Sequence, residues 1–297
     1  MSHISVLMSE VIEGLNIQPN DIVVDGTING GGHSFEIAKK LSKKGTLVGI
    51  DQDSSGLLLS KKKLENLNPK IHLVHDNTKN IQKILDSLNI LKFDKLFLDL
   101  GWSSNQFENP ERGFSFLVDG PLKMTLSDNK EDVNFTAEEI VNDWEESSIL
   151  DILQGYGEER YAWKIVQAIL EERKKTRITR TLQLSEIIKS AVPSNYKNSA
   201  IHPATKTFQA LRIAVNDEMM VLREILEKSF SRLNSGGRMI VISFHSTEDR
   251  IVKNYFRQKK QDASAIILTK KPIIASQNEL LENKRSRSAK LRVLQKI

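Results

Sequence analysis

Two aspartates around a glycine-rich loop are the first residues whose types and spacing indicate chemistry. The loop runs from Asp25 to His33, contains three consecutive glycines and follows a short apolar run. Asp51 ends the next apolar run, twenty residues after the second of these glycines. A strand, a glycine-rich turn, a helix and a second strand ending in a carboxylate are typical of a nucleotide-binding sheet, where that carboxylate binds the ribose diol. We therefore predict a nucleoside site with Asp51 at the ribose.

The order of residues in this loop favours one class of cofactor. Dinucleotide sites use Gly-x-Gly-x-x-Gly and place a pyrophosphate on the helix N-terminus. Here the glycines are spaced Gly-x-x-x-Gly-Gly-Gly, and the loop begins with Asp25, whose carboxylate repels phosphate. A carboxylate suits the sulfonium and ammonium groups of S-adenosylmethionine. No Gly-Lys-Ser/Thr follows the glycines, which excludes a phosphate-binding P-loop. The prediction is S-adenosylmethionine rather than NAD.

A third acid follows another apolar run. Asp99 comes directly after Leu96–Leu98, and Trp102 lies three residues further on. In an open α/β sheet the carboxyl end of a middle strand faces the ligand. An acid and an aromatic residue at this point resemble the pattern of amino-group methyltransferases, in which the acid accepts a hydrogen bond from an exocyclic amino group and the ring stacks on the base. We predict catalytic roles for Asp99 and Trp102; the alternative for Trp102 is a core or lid side chain.

The elements that would position these residues alternate between strand and helix. Ser34 is the predicted N-cap of the helix after the glycine loop. The alternation predicts a parallel sheet covered by helices on both faces. Its predicted strands are 21–25, 46–51, 71–74 and 95–99, and its predicted helices are 34–41, 54–64 and 81–88.

The alternation then stops, and residues 112–201 show helical patterns with little strand signal. Strand signal returns at 238–244, after a predicted helix 207–233 and a turn at 234–237. We therefore predict an α/β domain made of residues 1–111 and 202–297, interrupted by a helical insertion at 112–201.

Composition excludes several classes of protein. The chain has 297 residues, of which 39% are hydrophobic and 27% charged, and it contains no cysteine, so disulfides and thiol chemistry are excluded. No uninterrupted apolar stretch is long enough to span a membrane, and the N-terminus lacks the pattern of a signal peptide. We expect a cytoplasmic enzyme. No histidine pairing indicates a metal site.

The basic charge is concentrated at the C-terminus. Residues 251–297 contain 12 basic and 3 acidic residues, a balance of +9, whereas the rest has 31 basic and 35 acidic residues, a balance of −4. Such basic segments often bind nucleic acid, and the alternative is a solvated or fold-capping segment. The predicted RNA-binding residues are Lys284, Arg285, Arg287, Lys290 and Arg292.

Ordered motifs along almost the whole chain resemble those of the bacterial RsmH (MraW) family of small-subunit rRNA cytosine-N4 methyltransferases. These motifs are His3-Ile4-Ser5-Val6-Leu7, the Asp25–Ser34 loop, Asp99–Gln106, Pro110–Phe116, Tyr156–Arg160, His202–Ile213, Ser243–Arg250 and Arg285–Arg292.

The resemblance implies a Rossmann-like class I methyltransferase sheet with an inserted, all-helical substrate-recognition domain. It also implies methyl transfer from S-adenosylmethionine to N4 of a cytidine in the decoding centre of 16S rRNA, within the small ribosomal subunit. DNA and membrane partners are not expected. The cofactor contacts of the family fall on Gly31, Gly32, His33, Asp51, Asp99 and Gln106, and its aromatic neighbour of adenine falls on Thr78.

Three departures from the family pattern leave alternatives open. Asn29 stands where the family has glycine, and Lys123 and Thr125 replace an aspartate and an arginine. Trp102 stands where the family has an aliphatic residue. The alternatives to an rRNA methyltransferase are a DNA amino-methyltransferase, against which the missing Pro-Pro after Asp99 counts, and a catalytically silent ribosome-binding relative, which only Lys123 and Thr125 support.

Overall fold

The computed structural model describes residues 4–101, 107, 109–129, 133–197 and 201–297. The chain divides into two compact units: residues 1–103 with 219–297, and residues 104–218. The first contains the sheet and is called the sheet unit below; the second is called the helical unit.

Seven strands of the described residues form one sheet in the order β3-β2-β1-β4-β5-β7-β6. The strands are β1 (Ile22–Asp25), β2 (Thr46–Asp51), β3 (Lys70–His75), β4 (Phe93–Asp99), β5 (Leu233–Ser243), β6 (Ala265–Ile267) and β7 (Lys290–Lys296). The first five strands in this order are parallel, and β7 runs antiparallel to both of its neighbours. This arrangement confirms the predicted α/β class and its Rossmann-like sheet.

The helices of the described residues account for most of the remaining chain. They are α1 (Met8–Leu15), α2 (Gly32–Lys40), α3 (Ser54–Leu64), α4 (Ile81–Ser87), α5 (Ala137–Asp143), α6 (Glu146–Gly155), α7 (Ala162–Arg173), α8 (Thr181–Ala191), α9 (Ser194–Lys197), α10 (Thr205–Val215), α11 (Glu218–Arg232), α12 (Ser246–Gln261) and α13 (Gln277–Glu282). Within the described ranges, none of these helices combines the length and the apolar character that crossing a bilayer requires.

The sheet unit buries apolar side chains on both faces of its sheet. Successive residues of a strand point to opposite faces. Accordingly, Val24 and Leu96 belong to one buried cluster, while their neighbours Val23 and Phe97 belong to another. Strands buried on both faces are continuous apolar runs, which is why the first four could be predicted to within two residues at each end.

The predicted helix 207–233 is wrong, because two helices occupy this stretch. Asp217 has a left-handed backbone conformation (φ 47°), which a continuous helix does not allow. The preceding Asn216 donates a hydrogen bond from Nδ2 to the carbonyl of Met124 (2.8 Å) and accepts one at Oδ1 from the amide of Leu126 (2.7 Å). The predicted turn at 234–237 is also wrong, because these residues belong to β5, which shifts its register against β4 there.

The helical unit extends beyond the predicted insertion 112–201 at both ends. Helix α10 supplies Phe208 and Leu211 to the buried core that α5 to α8 form, so residues after 201 pack with the insertion. At the other end, the partly buried Phe107, which precedes residue 112, packs against the same core. The boundary at residue 201 was predicted from where strand signal is absent. Helix α10 has no strand signal either, so this criterion cannot assign it to the sheet or to the insertion.

The C-terminal segment is a structural part of the sheet unit. Leu291 and Val293 are buried on β7, which pairs with β5 in antiparallel register. Between them, Arg292 is also buried, and its guanidinium donates from Nε and Nη2 to the two carboxylate oxygens of Asp249 (2.7 and 3.1 Å). The RNA contact predicted for Arg292 is therefore corrected. Its guanidinium is buried in an ion pair with Asp249 and does not face solvent.

We expect Arg292→Ala to lower the free energy of unfolding by about 3 kcal/mol, because it leaves the buried Asp249 carboxylate with only Lys290, whose Nζ lies 3.8 Å from Oδ2. Urea denaturation measures this loss. The double variant Asp249→Leu/Arg292→Met should recover most of it, because two apolar groups replace the pair. Arg287→Ala, at an exposed position, is the control and should change the free energy by no more than about 0.5 kcal/mol. Equal effects of Arg292→Ala and the control would contradict a structural role.

Candidate cofactor and active site

Three strands of the sheet end in an aspartate at the same edge. Asp25, Asp51 and Asp99 are the last residues of β1, β2 and β4. These strands are parallel neighbours in the order β2-β1-β4, so their carboxyl ends meet at one edge. The structure thus brings together the three acids that the sequence singled out.

Asp25 is buried beneath the glycine loop and is bonded to it. Its carboxylate accepts hydrogen bonds from the hydroxyl of Ser34 (2.6 Å) and the amide of Thr27 (3.1 Å). The N-cap role predicted for Ser34 is therefore wrong, because Gly31 occupies that position and the Ser34 hydroxyl serves Asp25. Burial raises the pKa of Asp25 to about 6, despite these hydrogen bonds. Asp25 contributes negative charge below the loop.

Asp51 fastens the glycine loop to the end of β2. Its Oδ2 accepts from the amide of Asn29 (2.7 Å) and its Oδ1 accepts from the amide of Asp53 (3.0 Å). Burial, more than the nearby charges of Asp53 and Asp25, raises the pKa of Asp51 to about 7. Asn29 has a left-handed conformation (φ 48°), which asparagine tolerates better than most residues. This tolerance explains how the chain departs from glycine at this position.

The glycines of the loop are required by close packing within the protein. A Cβ at Gly31 would lie 3.0 Å from the hydroxyl oxygen and 3.1 Å from the Cα of Ser60, and one at Gly32 would overlap the hydroxyl of Ser5. Gly30 has no protein atom near the corresponding point. The loop is therefore held between α3 and the N-terminal segment, and its backbone at Gly30 is open.

His33 lies in the first turn of α2 and is buried. Its Nε2 lies 2.8 Å from the carbonyl oxygen of Val6, and its ring packs on Phe97 with 4.6 Å between the centroids. Sequence reasoning missed the contribution of Val6, because a backbone carbonyl leaves no signature in residue type.

Asp99 differs from the other two acids in having an oxygen without a partner. Its amide donates to the hydroxyl of Thr27 (2.6 Å), and its Oδ2 lies 3.6 Å from Nδ1 of His33. Its Oδ1 is buried and has no hydrogen-bond partner among the described residues. Burial and the negative charges of Asp25 and Glu248 raise the pKa of Asp99 to about 8. A buried acceptor of this kind calls for a hydrogen-bond donor, which a ligand with N–H groups supplies.

Glu248 is a site residue that the sequence reasoning missed. It lies in the first turn of α12 and accepts from the amides of Phe244 (2.8 Å) and His245 (3.3 Å), just after β5 ends. The His245 side chain accepts in return from the amide of Glu248 (3.3 Å), which completes a capping box. The usual capping-box sequence has Ser or Thr at the N-cap, and His245 takes that place here, so the sequence pattern alone does not reveal Glu248.

Thr78 does not provide an aromatic neighbour for a base. It is buried, and its hydroxyl donates to the carbonyl of Gly26. A Cβ at Gly26 would lie 2.7 Å from its methyl group. The hydroxyl of Thr78 thus holds the start of the loop, and the cofactor contact predicted for this residue stays a prediction.

Two predicted site residues, Trp102 and Gln106, lie outside the described residues. The two substitutions in the helical unit are described: Lys123 is exposed, whereas Thr125 is buried. The carbonyls of Thr125 and Ser127 accept from the guanidinium of Arg112 (3.4 and 3.0 Å), so Arg112 organises this segment through backbone carbonyls. These two hydrogen bonds do not depend on the side chain at 125.

The sheet order, with its antiparallel β7, and the carboxylates at three strand ends define a Rossmann-like methyltransferase. The chain belongs to the MraW methylase family, which matches residues 1–297. It is thus a methyltransferase, and its cofactor is S-adenosylmethionine. Family membership confirms the resemblance drawn from the sequence motifs.

Relatives over the full length carry one name. The chain is 45% identical over 310 residues to the ribosomal RNA small subunit methyltransferase H of Clostridium botulinum, covering 99% of each chain. It is 41% identical to the protein of that name from Clostridioides difficile, again covering 99% of each.

Solved structures are similar at lower identity. A putative rRNA methylase from Clostridium thermocellum is 13% identical, with a TM-score of 0.49 and full coverage of both chains. A putative methyltransferase from Streptococcus mutans in complex with SAH is 13% identical, with a TM-score of 0.48 and coverage of 99% of this chain and 100% of that one.

We expect the affinity for S-adenosylmethionine to rise from about pH 6 to about pH 7.5, by up to tenfold per unit for each proton released. Burial raises the pKa of Asp25 to about 6 and that of Asp51 to about 7, so both are partly protonated in this range, and the cationic cofactor favours their ionised forms. Calorimetry in buffers of different ionisation enthalpy measures both the affinity and the proton release.

S-adenosylhomocysteine is the matched control, because it lacks the sulfonium charge. Its affinity should rise less steeply over the same range. Equal pH slopes for the two compounds would show that the sulfonium charge is not sensed by these carboxyl groups.

Proposed function

We propose that this protein transfers a methyl group from S-adenosylmethionine to N4 of a cytidine in the decoding centre of 16S rRNA, within the small ribosomal subunit. The observation that carries the proposal is Oδ1 of Asp99, a buried acceptor without a partner at the end of β4. The name of the full-length relatives, ribosomal RNA small subunit methyltransferase H, supports the class of substrate. A ribosomal substrate also supports the predicted cytoplasmic location.

The carboxyl edge of the sheet unit has the groups that a cationic nucleoside cofactor needs. When bound, S-adenosylmethionine supplies an electrophilic methyl group on its sulfonium. Asp51 would accept from the ribose hydroxyls, and the buried charge of Asp25 would favour the cationic end. The resemblance adds contacts from Gly31, Gly32, His33 and Gln106.

Asp99 would align the acceptor base. A carboxyl oxygen that accepts one N–H of an exocyclic amino group fixes the direction of the nitrogen lone pair, and alignment of this kind accounts for a large part of many enzymatic rate enhancements. After the new N–C bond has formed, the methylated amino group is cationic and releases one of its two protons to water, so the step needs no strong base. This role requires that Oδ1 be left unbonded by the protein, as it is among the described residues.

The helical unit would recognise the RNA around the target base. Its support is the resemblance to the family, together with its own buried core, which gives it a rigid surface of its own.

The basic residues before β7 would bind RNA phosphate. Lys284, Arg285 and Arg287 belong to a 3-10 turn and are exposed, and Lys290 starts β7. Lys290 pairs with Ser243 at the carboxyl end of β5, so this turn lies at the same edge of the sheet as the three aspartates. Contacts with phosphate would position the RNA without reading its sequence.

We expect isolated small ribosomal subunits to accept labelled methyl groups, with N4-methylcytidine as the product in nucleoside analysis. Asp99→Ala should lower turnover by about 10²-fold, because the amino group is no longer aligned, while unfolding is changed little. Label in duplex DNA instead would favour a DNA amino-methyltransferase. Absence of label in every nucleic acid tested would favour a silent ribosome-binding protein, and wild-type turnover by Asp99→Ala would remove Asp99 from the mechanism.

We expect the triple variant Lys284→Ala/Arg285→Ala/Arg287→Ala to weaken RNA binding and to flatten its dependence on salt. Each lost phosphate contact lowers the slope of log affinity against log salt by about 0.7 to 0.9. Binding assays over a salt series measure the slope. The melting temperature and the affinity for S-adenosylmethionine should change little, because these side chains are exposed.

The matched control removes the same charge elsewhere in the sheet unit. Lys61, Lys62 and Lys63 are exposed in the last turn of α3, which leads from the carboxyl end of β2 to the amino end of β3, at the opposite edge. Their triple replacement by alanine should leave the slope nearly unchanged. Equal slopes for the two triple variants would show that the basic turn contributes only general charge.

A further inference from the structure

His33 and Asp99 form a largely buried pair, and the surrounding fold determines which of their atoms carry protons. His33 is 6% exposed, the Asp99 side chain is 17% exposed, and Nδ1 of the first lies 3.6 Å from Oδ2 of the second. The pair links the first turn of α2 to the end of β4. Each group therefore influences which atom of the other carries a proton.

The backbone of Val6 determines the tautomer of His33. A carbonyl oxygen can only accept a hydrogen bond, so Nε2, at 2.8 Å from it, carries the hydrogen. In the neutral imidazole Nδ1 then has a lone pair, and this lone pair faces Oδ2 of Asp99.

The segment that holds Val6 is itself anchored. The amide of Leu7 donates to the Glu279 carboxylate (2.8 Å), and Asn283 donates from Nδ2 to the carbonyl of Ile4 (3.0 Å). Glu279 and Asn283 belong to α13 and to the residue after it. The tautomer of His33 is therefore maintained by a fixed part of the sheet unit.

The charged groups around Asp99 disfavour its ionised form. Asp25 faces it from β1 and Glu248 from the first turn of α12, and both are negative when ionised. His33 faces it from α2 and offers an acceptor nitrogen. A carboxyl group among two acids and an acceptor nitrogen is most stable with a proton on the oxygen next to that nitrogen. The raised pKa of Asp99, about 8, agrees with this arrangement.

We propose that His33 is a positioning residue for Asp99: its Nδ1 holds the proton of the pair on the Oδ2 side, so that Oδ1 is presented to the substrate as a pure acceptor. The proposal rests on the alignment role given to Asp99 under the proposed function. The proposal also explains how the site would select cytosine over uracil. An acceptor oxygen matches the amino group of cytosine and repels the carbonyl oxygen that uracil has in the same place.

The first test examines the ligand-free protein by nuclear magnetic resonance. We expect Nε2 of His33 to be protonated, Nδ1 to accept a hydrogen bond, and the Asp99 carboxyl carbon to show the protonated form near neutral pH. The opposite neutral tautomer, with the hydrogen on Nδ1, would overturn the proposal. A carboxyl carbon of Asp99 that shows the ionised form at neutral pH and does not change up to about pH 9 would also overturn it.

The second test compares kinetics of His33→Asn with those of wild type, using small ribosomal subunits and S-adenosylmethionine. We expect kcat at saturating S-adenosylmethionine to fall about 10- to 100-fold with a displaced pH profile, and calorimetry measures separately any change in the Kd for the cofactor. A merely structural or cofactor-binding role would raise Kd or KM and leave the pH profile of kcat unchanged. His72→Asn, on the edge strand β3, is the matched control and should keep the wild-type profile.

A double-mutant cycle separates this proposal from the proposed function. In the Asp99→Ala background, His33→Asn should cause little further loss, because the group that His33 positions is already absent. Additive losses would overturn the positioning role while leaving Asp99 in the mechanism. Wild-type turnover by Asp99→Ala would instead refute the alignment role of Asp99 itself.

Discussion

Burial of carboxyl groups at one edge of a parallel sheet is the constraint on which the rest of this structure depends. Desolvation penalises the ionised form of an acid, and here three acids lie together, with pKa values raised to about 6, 7 and 8. Backbone amides and hydroxyls compensate Asp25 and Asp51, whereas Oδ1 of Asp99 has no such partner among the described residues. A cationic cofactor would supply the missing favourable charge.

The same hydrogen bonds that make burial tolerable also build the loop. Asp51 accepts a hydrogen bond from the amide of Asn29, and Asp25 accepts from the amide of Thr27 and the hydroxyl of Ser34. The hydroxyl of Thr27 in turn accepts from the amide of Asp99. The ends of β1, β2 and β4 are thus connected through one loop. A functional site built this way is positioned by the strands, which are the most rigid elements of the sheet unit.

The C-terminal segment shows how one charge cluster serves two purposes. Arg292 is buried against Asp249 and belongs to the packing of β7 on β5, whereas Arg285 and Arg287, in the preceding turn, are exposed. Alternation along a strand accounts for the burial of one arginine among apolar neighbours, since Arg292 faces the side of the sheet that α12 covers with Asp249. Residue type is the same for all three arginines, and exposure separates Arg292 from the other two.

From the sequence alone, the strands of the first half, the glycine loop, the acids at the strand ends and the family could be determined, because buried parallel strands and short motifs are local patterns. The tertiary structure decided what local patterns do not contain. In the folded protein Ser34 hydrogen-bonds to Asp25, Thr78 to Gly26 and Arg292 to Asp249. His33 lies between a backbone carbonyl and Asp99. Each of these partners is distant in sequence or is a backbone atom, so no residue pattern reports it, and only the packing of the chain brings the atoms together.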